Sequence, residues 1–199
     1  MMTFPLTHRL DEIEPFHVME VIKQAAALEE AGRSVIHLSI GEPDFPTAQP
    51  VLDAAAKSLQ GGTMRYTSAT GLPALREAIS AHYSERFGLE VPAQRIVITA
   101  GASGALLLAC AALVERDAEV LMPDPSYPCN RHFVAAFEGR ATMIPSGPAE
   151  RFQLTASMVR EHWSDRTTGV LLASPSNPTG TSIAPQELAA IAAVVRERR

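Results

Sequence analysis

Three short stretches carry side chains suited to holding a small, anionic, aromatic ligand. Ser174-Pro-Ser-Asn-Pro-Thr-Gly180 follows the apolar run Gly169-Val-Leu-Leu-Ala173. A buried strand that ends in a turn rich in Pro, Asn and Gly leaves the Asn177 amide above the strand end, where open parallel sheets hold ligands. Ala100-Gly-Ala-Ser-Gly104 puts small residues where a strand enters a helix, so that backbone N–H groups, the helix dipole and the Ser103 hydroxyl converge on an anion such as a phosphate. Small residues also suit a helix packed closely on a strand, and the stretch matches neither the G-x-G-x-x-G nor the G-K-[ST] pattern, so taken alone it leaves both readings open. Tyr127, in Pro123-Asp-Pro-Ser-Tyr-Pro128, adds an aromatic face. A flat ring, an anion cradle and an amide describe a pocket for a phosphorylated aromatic cofactor.

The elements that must position these residues alternate in type. Arg95–Thr99, Glu119–Met122, Ala141–Ile144 and Gly169–Ala173 read as strands, with helices over Ala105–Glu115, Asn130–Phe137 and from about Pro185. Such alternation predicts an α/β domain with a mostly parallel sheet covered on both faces. Ahead of it, Met1–Pro15 reads as irregular and Val18, Val21, Ile22, Ala25 and Leu28 recur at helical spacing over Phe16–Ala31. Ser34–Ser39 alternates as a short strand, Val51–Leu59 reads as a short helix, and Leu75, Ile79 and Tyr83 form the apolar stripe of a helix opening at Pro73. Gly41, in Gly41-Glu-Pro-Asp-Phe-Pro46, lets backbone approach a neighbour closely, and Tyr66 lies on a loop. Each suits a ligand contact, and equally a plain connecting loop or half-buried packing.

The chain has 199 residues, 46% hydrophobic and 20% charged, with a formal net charge of -5. This is ordinary globular composition, and it leaves no basic surplus for a nucleic-acid backbone. No apolar run approaches the roughly 20 residues needed to span a bilayer, and the N-terminus carries no basic segment followed by an apolar one. Cys110 and Cys129 have neither metal-ligand nor disulfide spacing, so reduced thiols in a cytoplasmic protein are expected. No metal site is expected.

Gly41-Glu-Pro-Asp-Phe-Pro-Thr47, Tyr66-x4-Gly71-x3-Leu75-Arg76, Thr99-Ala-Gly-Ala-Ser-Gly-Ala-Leu106, Pro123-Asp-Pro-Ser-Tyr-Pro128 and Ser174-Pro-Ser-Asn-Pro-Thr-Gly180, in this order, resemble the class I/II aminotransferases among the fold-type I enzymes that use pyridoxal 5'-phosphate. The resemblance implies a three-layer α/β large domain, incomplete here. Residues 1–46 would be the N-terminal arm and small-domain segment, and 47–199 the N-terminal part of the cofactor-binding domain. It further implies that Ala102, Ser103 and Gly104 form the phosphate-binding turn, that Tyr127 stacks on the pyridine ring and that Asn177 donates to its phenolic oxygen. Tyr66 would reach the phosphate in the partner subunit of a homodimer, and the Gly41 backbone would meet the substrate carboxylate.

The same resemblance implies three groups outside the matched segment: a lysine that binds the cofactor covalently and moves the proton, an aspartate on the pyridine nitrogen, and an arginine for the substrate carboxylate. Lys23 and Lys57, the two lysines of the chain, match no such motif. No catalytic residue is therefore assigned here, and the 199 residues alone are expected to be inactive. Arg95–Thr99 would be separated from Gly169–Ala173 by later strands, so it is expected either to move beside another strand or pair with a second chain, or the missing half is present. The activity implied is amino transfer between an amino acid and a 2-oxo acid. A carbon–sulfur lyase using the same cofactor, or a non-catalytic effector domain of the same fold with a winged-helix segment ahead of the arm, are the alternatives.

Overall fold

The structure is a computed structural model that describes residues 5–62 and 65–198. By Cα proximity the chain divides into two bodies, residues 17–101 and residues 102–199 with the arm up to residue 16. Of the stretch expected to be irregular, residues 1–4 lie outside the described residues, and His8–Glu12 form one 3-10 turn.

The body 17–101 is built on three helices, α1 (His17–Glu30), α2 (Gln49–Gln60) and α3 (Pro73–Phe87). Proline in the first turn opens α2 and α3, and Gly88 in the left-handed region closes α3, its N–H returning to the Ser84 carbonyl. Ser34–Ser39 and Arg95–Thr99 are not strands, contrary to their patterns. Ile36 and Leu38 are 83% and 90% exposed, and no described residue offers either stretch a ladder. Extended backbone without a hydrogen-bonded neighbour is not a sheet. Arg95–Thr99 is held instead by local turns, Arg95 N–H to the Pro92 carbonyl and Ile96 N–H to the Ala93 carbonyl, by Ile98 N–H to the Thr70 carbonyl at 3.0 Å, and by Arg76, whose guanidinium donates to the carbonyls of Ala93 and Ile96 and to Thr70 Oγ1. The expected repair of the sheet through this segment is absent among the described residues. Of the stripe expected on α3, Ile79 is half-buried, whereas Leu75 and Tyr83 are 45% and 39% exposed.

The second body contains α4 (Gly101–Leu113), β1 (Glu119–Asp124), α5 (Cys129–Ala135), β2 (Arg140–Pro145), α6 (Ala156–His162), β3 (Thr167–Val170) and α7 (Pro185–Arg198). Its sheet is parallel with order β2-β1-β3, the incomplete α/β arrangement expected. Alternate residues of the central strand face opposite layers. Leu121 joins Ile144, Leu154, Val159, Ile191 and Val194 under α6 and α7, whereas Val120 and Met122 join Cys110 of α4 and Val134 of α5. Burial of both strand faces reads in the sequence as an unbroken apolar run.

β1 runs two residues further than the sequence suggests, through Pro123. In a parallel strand the N–H and C=O of one residue point to the same side. The Glu119 N–H and Leu121 carbonyl bond toward β3, and the Ala118 and Asp124 carbonyls toward β2. Pro123 therefore turns its missing donor to the β3 side, where strand pairing has already ended at Leu121–Val170. α4 begins four residues earlier than expected, so Ala102–Gly104 form its first turn. α6 was not foreseen; Thr155 caps it, accepting from Met158 N–H at 3.2 Å.

Candidate active site

The candidate residues of the second body converge on one edge for topological reasons. The chain turns back between α4 and β1 within a few residues, and Cys110 packs on Val120 and Met122. Thirteen helical residues and six strand residues both span about 20 Å. Running in opposite senses, they place the α4 N-terminus beside the carboxyl end of β1. Tyr127 follows β1 by three residues, and Asn177 lies on the turn reached when the chain leaves β3, after Leu171 N–H has made a last bond to the Leu121 carbonyl at 2.8 Å.

Each side chain at this edge has a distinct state. Ser103 is exposed and its hydroxyl makes no hydrogen bond to the described residues, and the N–H groups of Ala102 and Ser103, in the first turn of α4, have no intrahelical carbonyl to pair with. Tyr127 is half-buried, with the Phe16 ring of the arm edge-on at 5.9 Å. Its hydrogen bond with Cys129, together with burial, pushes the phenol pKa up, so the ring stays neutral across the physiological range. Asn177 is exposed, and its amide makes no hydrogen bond to the described residues, although the turn carrying it is closed by Ser176 N–H to Thr181 O and Gly180 N–H to Ser176 O, both at 2.8 Å. The donors at this edge suit an anion and an aromatic oxygen, and no oxygen-rich or thiolate cluster is present; among the described residues, no group of three His, Cys, Asp or Glu is placed to hold a metal ion.

Tyr66 and Gly41 belong to the body 17–101. Tyr66 is fully exposed, and Gly41 is exposed with nothing within 4 Å of where a side chain would begin. Neither contact expected of them falls within that body. An apolar cleft of about 460 Å3 lies elsewhere, beside β3, lined by residues such as Cys110, Leu113, Val120, Trp163, Gly169 and Leu171, and including none of the candidate residues. No helix among the described residues is long and apolar enough to cross a membrane.

Residues 33–199 match the profile of the family described as aminotransferase class I and II. The chain belongs to the class I and II aminotransferase family. It is 43% identical over 180 residues to the valine–pyruvate aminotransferase of Mycobacterium tuberculosis, covering 90% of this chain and 46% of that protein. It is 36% identical over 178 residues to the (5-formylfuran-3-yl)methyl phosphate transaminase of Methanocaldococcus jannaschii, covering 89% and 46%. Among solved structures, a Thermus thermophilus aspartate aminotransferase with maleate superposes with a TM-score of 0.93 at 28% identity, covering 98% of this chain and 51% of its own. An aminotransferase from M. tuberculosis superposes at 0.91 with 40% identity, covering 98% and 50%. The chain spans about half the length of these aminotransferases.

Two neighbours of the candidate residues carried no signal in the sequence. Phe16 reaches Tyr127 across more than a hundred residues of chain. Gln153 lies 4% exposed next to both ends of the Asn177 turn.

Proposed function

We propose that the complete gene product transfers amino groups between an amino acid and a 2-oxo acid with pyridoxal 5'-phosphate, and that this chain supplies one wall of the cofactor site. What supports the reading above the rest is that the Ser103 hydroxyl and the Asn177 amide, neither hydrogen-bonded to the described residues, lie with Tyr127 at the α4 N-terminus and on the turns that follow β1 and β3, where a parallel sheet holds ligands. In this reading the first-turn N–H groups of Ala102, Ser103 and Gly104, with the Ser103 hydroxyl, bind the phosphate, the charge favoured by the helix dipole. Tyr127 lays its neutral ring on the pyridine, and Asn177 donates to the phenolic oxygen. When bound, the cofactor ring serves as the sink for the electron pair released at the substrate α-carbon. These residues would hold the cofactor ring and exclude water from one of its faces. Tyr66 reaches the phosphate of a second subunit in a homodimer, the Gly41 backbone meets the substrate carboxylate, and the protein works in the cytoplasm. Residues 1–46 act as arm and small-domain segment, and 47–199 as part of the cofactor-binding domain.

Neither Lys23, in α1, nor Lys57, in α2, occupies a matched motif, so the 199 residues alone should not transaminate. The test is a panel of amino acids and 2-oxo acids offered to the complete gene product with the cofactor. Acceptor-dependent amino transfer supports the proposal. Release of sulfide and ammonia without an acceptor indicates a lyase instead, and tight cofactor binding without turnover an effector domain. Borohydride trapping of the cofactor on Lys23 or Lys57, coupled to turnover, would overturn the site assignment.

A further inference from the structure

The turn that presents Asn177 is tied to a residue outside every motif described above. Gln153, in the loop between β2 and α6, is 4% exposed. Its amide nitrogen donates to the Ala173 carbonyl at 3.2 Å and to the Thr181 carbonyl at 2.8 Å, with Thr181 Oγ1 at 3.3 Å. Ala173 precedes the Ser174–Gly180 turn and Thr181 follows it, so one NH2 group holds both ends. The two N–H bonds of a primary amide match the two carbonyls, and the flipped amide would set oxygen against oxygen. Oε1 is left buried, without a hydrogen-bond partner among the described residues. A position that needed only volume would take Leu or Met. An amide kept with its oxygen unsatisfied marks a place where its donors are required. The backbone ahead of it is bent to aim it inward: Arg151 and Phe152 both lie in the left-handed region, at φ 55 and 58, and Phe152 N–H closes on the Gly147 carbonyl at 2.8 Å.

We infer that Gln153 is a positioning residue for Asn177. Its amide fixes the spacing of Ala173 and Thr181, which sets the turn and the direction in which the Asn177 side chain is presented to the aromatic oxygen of the ligand. The inference rests on the reading of Asn177 given under the proposed function. Gln153 touches neither the ligand nor the reacting atoms, and acts through the turn.

The test uses the complete gene product as wild type, Asn177→Ala, Gln153→Glu, Gln153→Met and the double variant Asn177→Ala/Gln153→Glu, with folding checked by far-ultraviolet circular dichroism. The readouts are affinity for pyridoxal 5'-phosphate, taken as a ratio to wild type at the same pH, and the pH midpoint of the bound cofactor's visible band. Asn177→Ala is expected to weaken binding about tenfold, the scale of one lost hydrogen bond, and to shift the midpoint. Gln153→Glu should reproduce the weakened binding at pH 8, where a carboxylate faces two carbonyl oxygens. It should recover toward wild type as the pH falls and the protonated carboxyl regains a donor. Gln153→Met should show the loss without the recovery, and it carries the test if Gln153→Glu does not fold. The double variant should be no weaker than Asn177→Ala. Additive losses in the double variant, or Gln153 variants that bind like wild type while Asn177→Ala does not, overturn the inference. An Asn177→Ala variant that binds like wild type overturns the reading of Asn177 itself.

Discussion

Glu119 opens the central strand with its side chain 10% exposed, a poor place for a charge unless partners surround it. Ser164 Oγ donates to Oε2 at 2.6 Å, and Arg166 donates to Oε1 through Nη2 at 2.8 Å and Nε at 3.1 Å. The Ser164 hydroxyl first, then the guanidinium of Arg166 and the more distant Arg140, hold the carboxyl below its ordinary value of about 4.5. A depressed folded pKa means that the folded state releases its proton more readily than the unfolded chain. The resulting stability is complete above about pH 4.5 and disappears as pH falls through the depressed value. Glu119→Gln should therefore unfold with a shallower dependence on pH below 5 than wild type, and be about 1–3 kcal/mol less stable at pH 7 in urea titrations. Parallel pH profiles would sink this account. Glycine is as specific at position 71, where φ is 99° and a side chain would begin 2.3 Å from Ile98 Cγ1. Gly71→Ala should cost about 1–3 kcal/mol in the same titrations; a variant as stable as wild type would show that Thr70 and Ile98 move apart freely. The Gly71 requirement showed in the sequence as part of a motif. The role of Gln153 did not, because its partners come 20 and 28 residues later and only the fold brings them to it.

At the scale of elements, legibility followed where each stretch finds its partners. Glu119–Met122 and Ala141–Ile144 were readable as strands because each pairs with the other along six positions of register. Ser34–Ser39 and Arg95–Thr99 carry equally good strand patterns, yet alternation records only a capacity to pair, and no described residue supplies the ladder. α6 escaped notice because its seven residues are too few to set up a periodicity, although Thr155 three residues before Met158 has the spacing of a cap. Its N-terminus is held from two directions: Thr155 Oγ1 accepts from Met158 N–H, and Glu187 of α7 accepts from Ala156 N–H at 2.6 Å. Thr155→Ala should cost about 1 kcal/mol and Glu187→Ala about 1–2 kcal/mol, the second being larger because a charged acceptor also meets the helix dipole. Thermal unfolding of both variants checks the order, and equal, negligible shifts would mean that packing of Val159 against Ile191 and Val194 holds α6 without its caps.

Across the whole molecule the buried apolar side chains are unevenly shared. Residues 102–198 hold two clusters, one on each face of β1, with Leu121, Met122, Leu154 and Val159 fully enclosed. Among the described residues of 17–101, Ala25 is the one buried hydrophobic, while Ile36, Leu38, Phe45 and Leu59 are largely exposed. Ordering a residue costs about 1–2 kcal/mol of backbone entropy, and apolar burial is the main term that offsets it. The two bodies should therefore differ sharply in local stability. Hydrogen exchange followed by mass spectrometry on the 199-residue chain should find the amides of β1 and β2 exchanging slowest and those of α1, α2 and residues 34–39 close to unprotected rates. Within 17–101 one exception is expected. The Ile98 amide, bonded to the Thr70 carbonyl beside the Arg76 network, should exchange more slowly than its neighbours, and Arg76→Ala should remove that protection while leaving β1 unchanged. If α1 exchanged as slowly as β1, burial within each body would not be what sets stability in this chain, and an interaction outside these contacts would have to be sought.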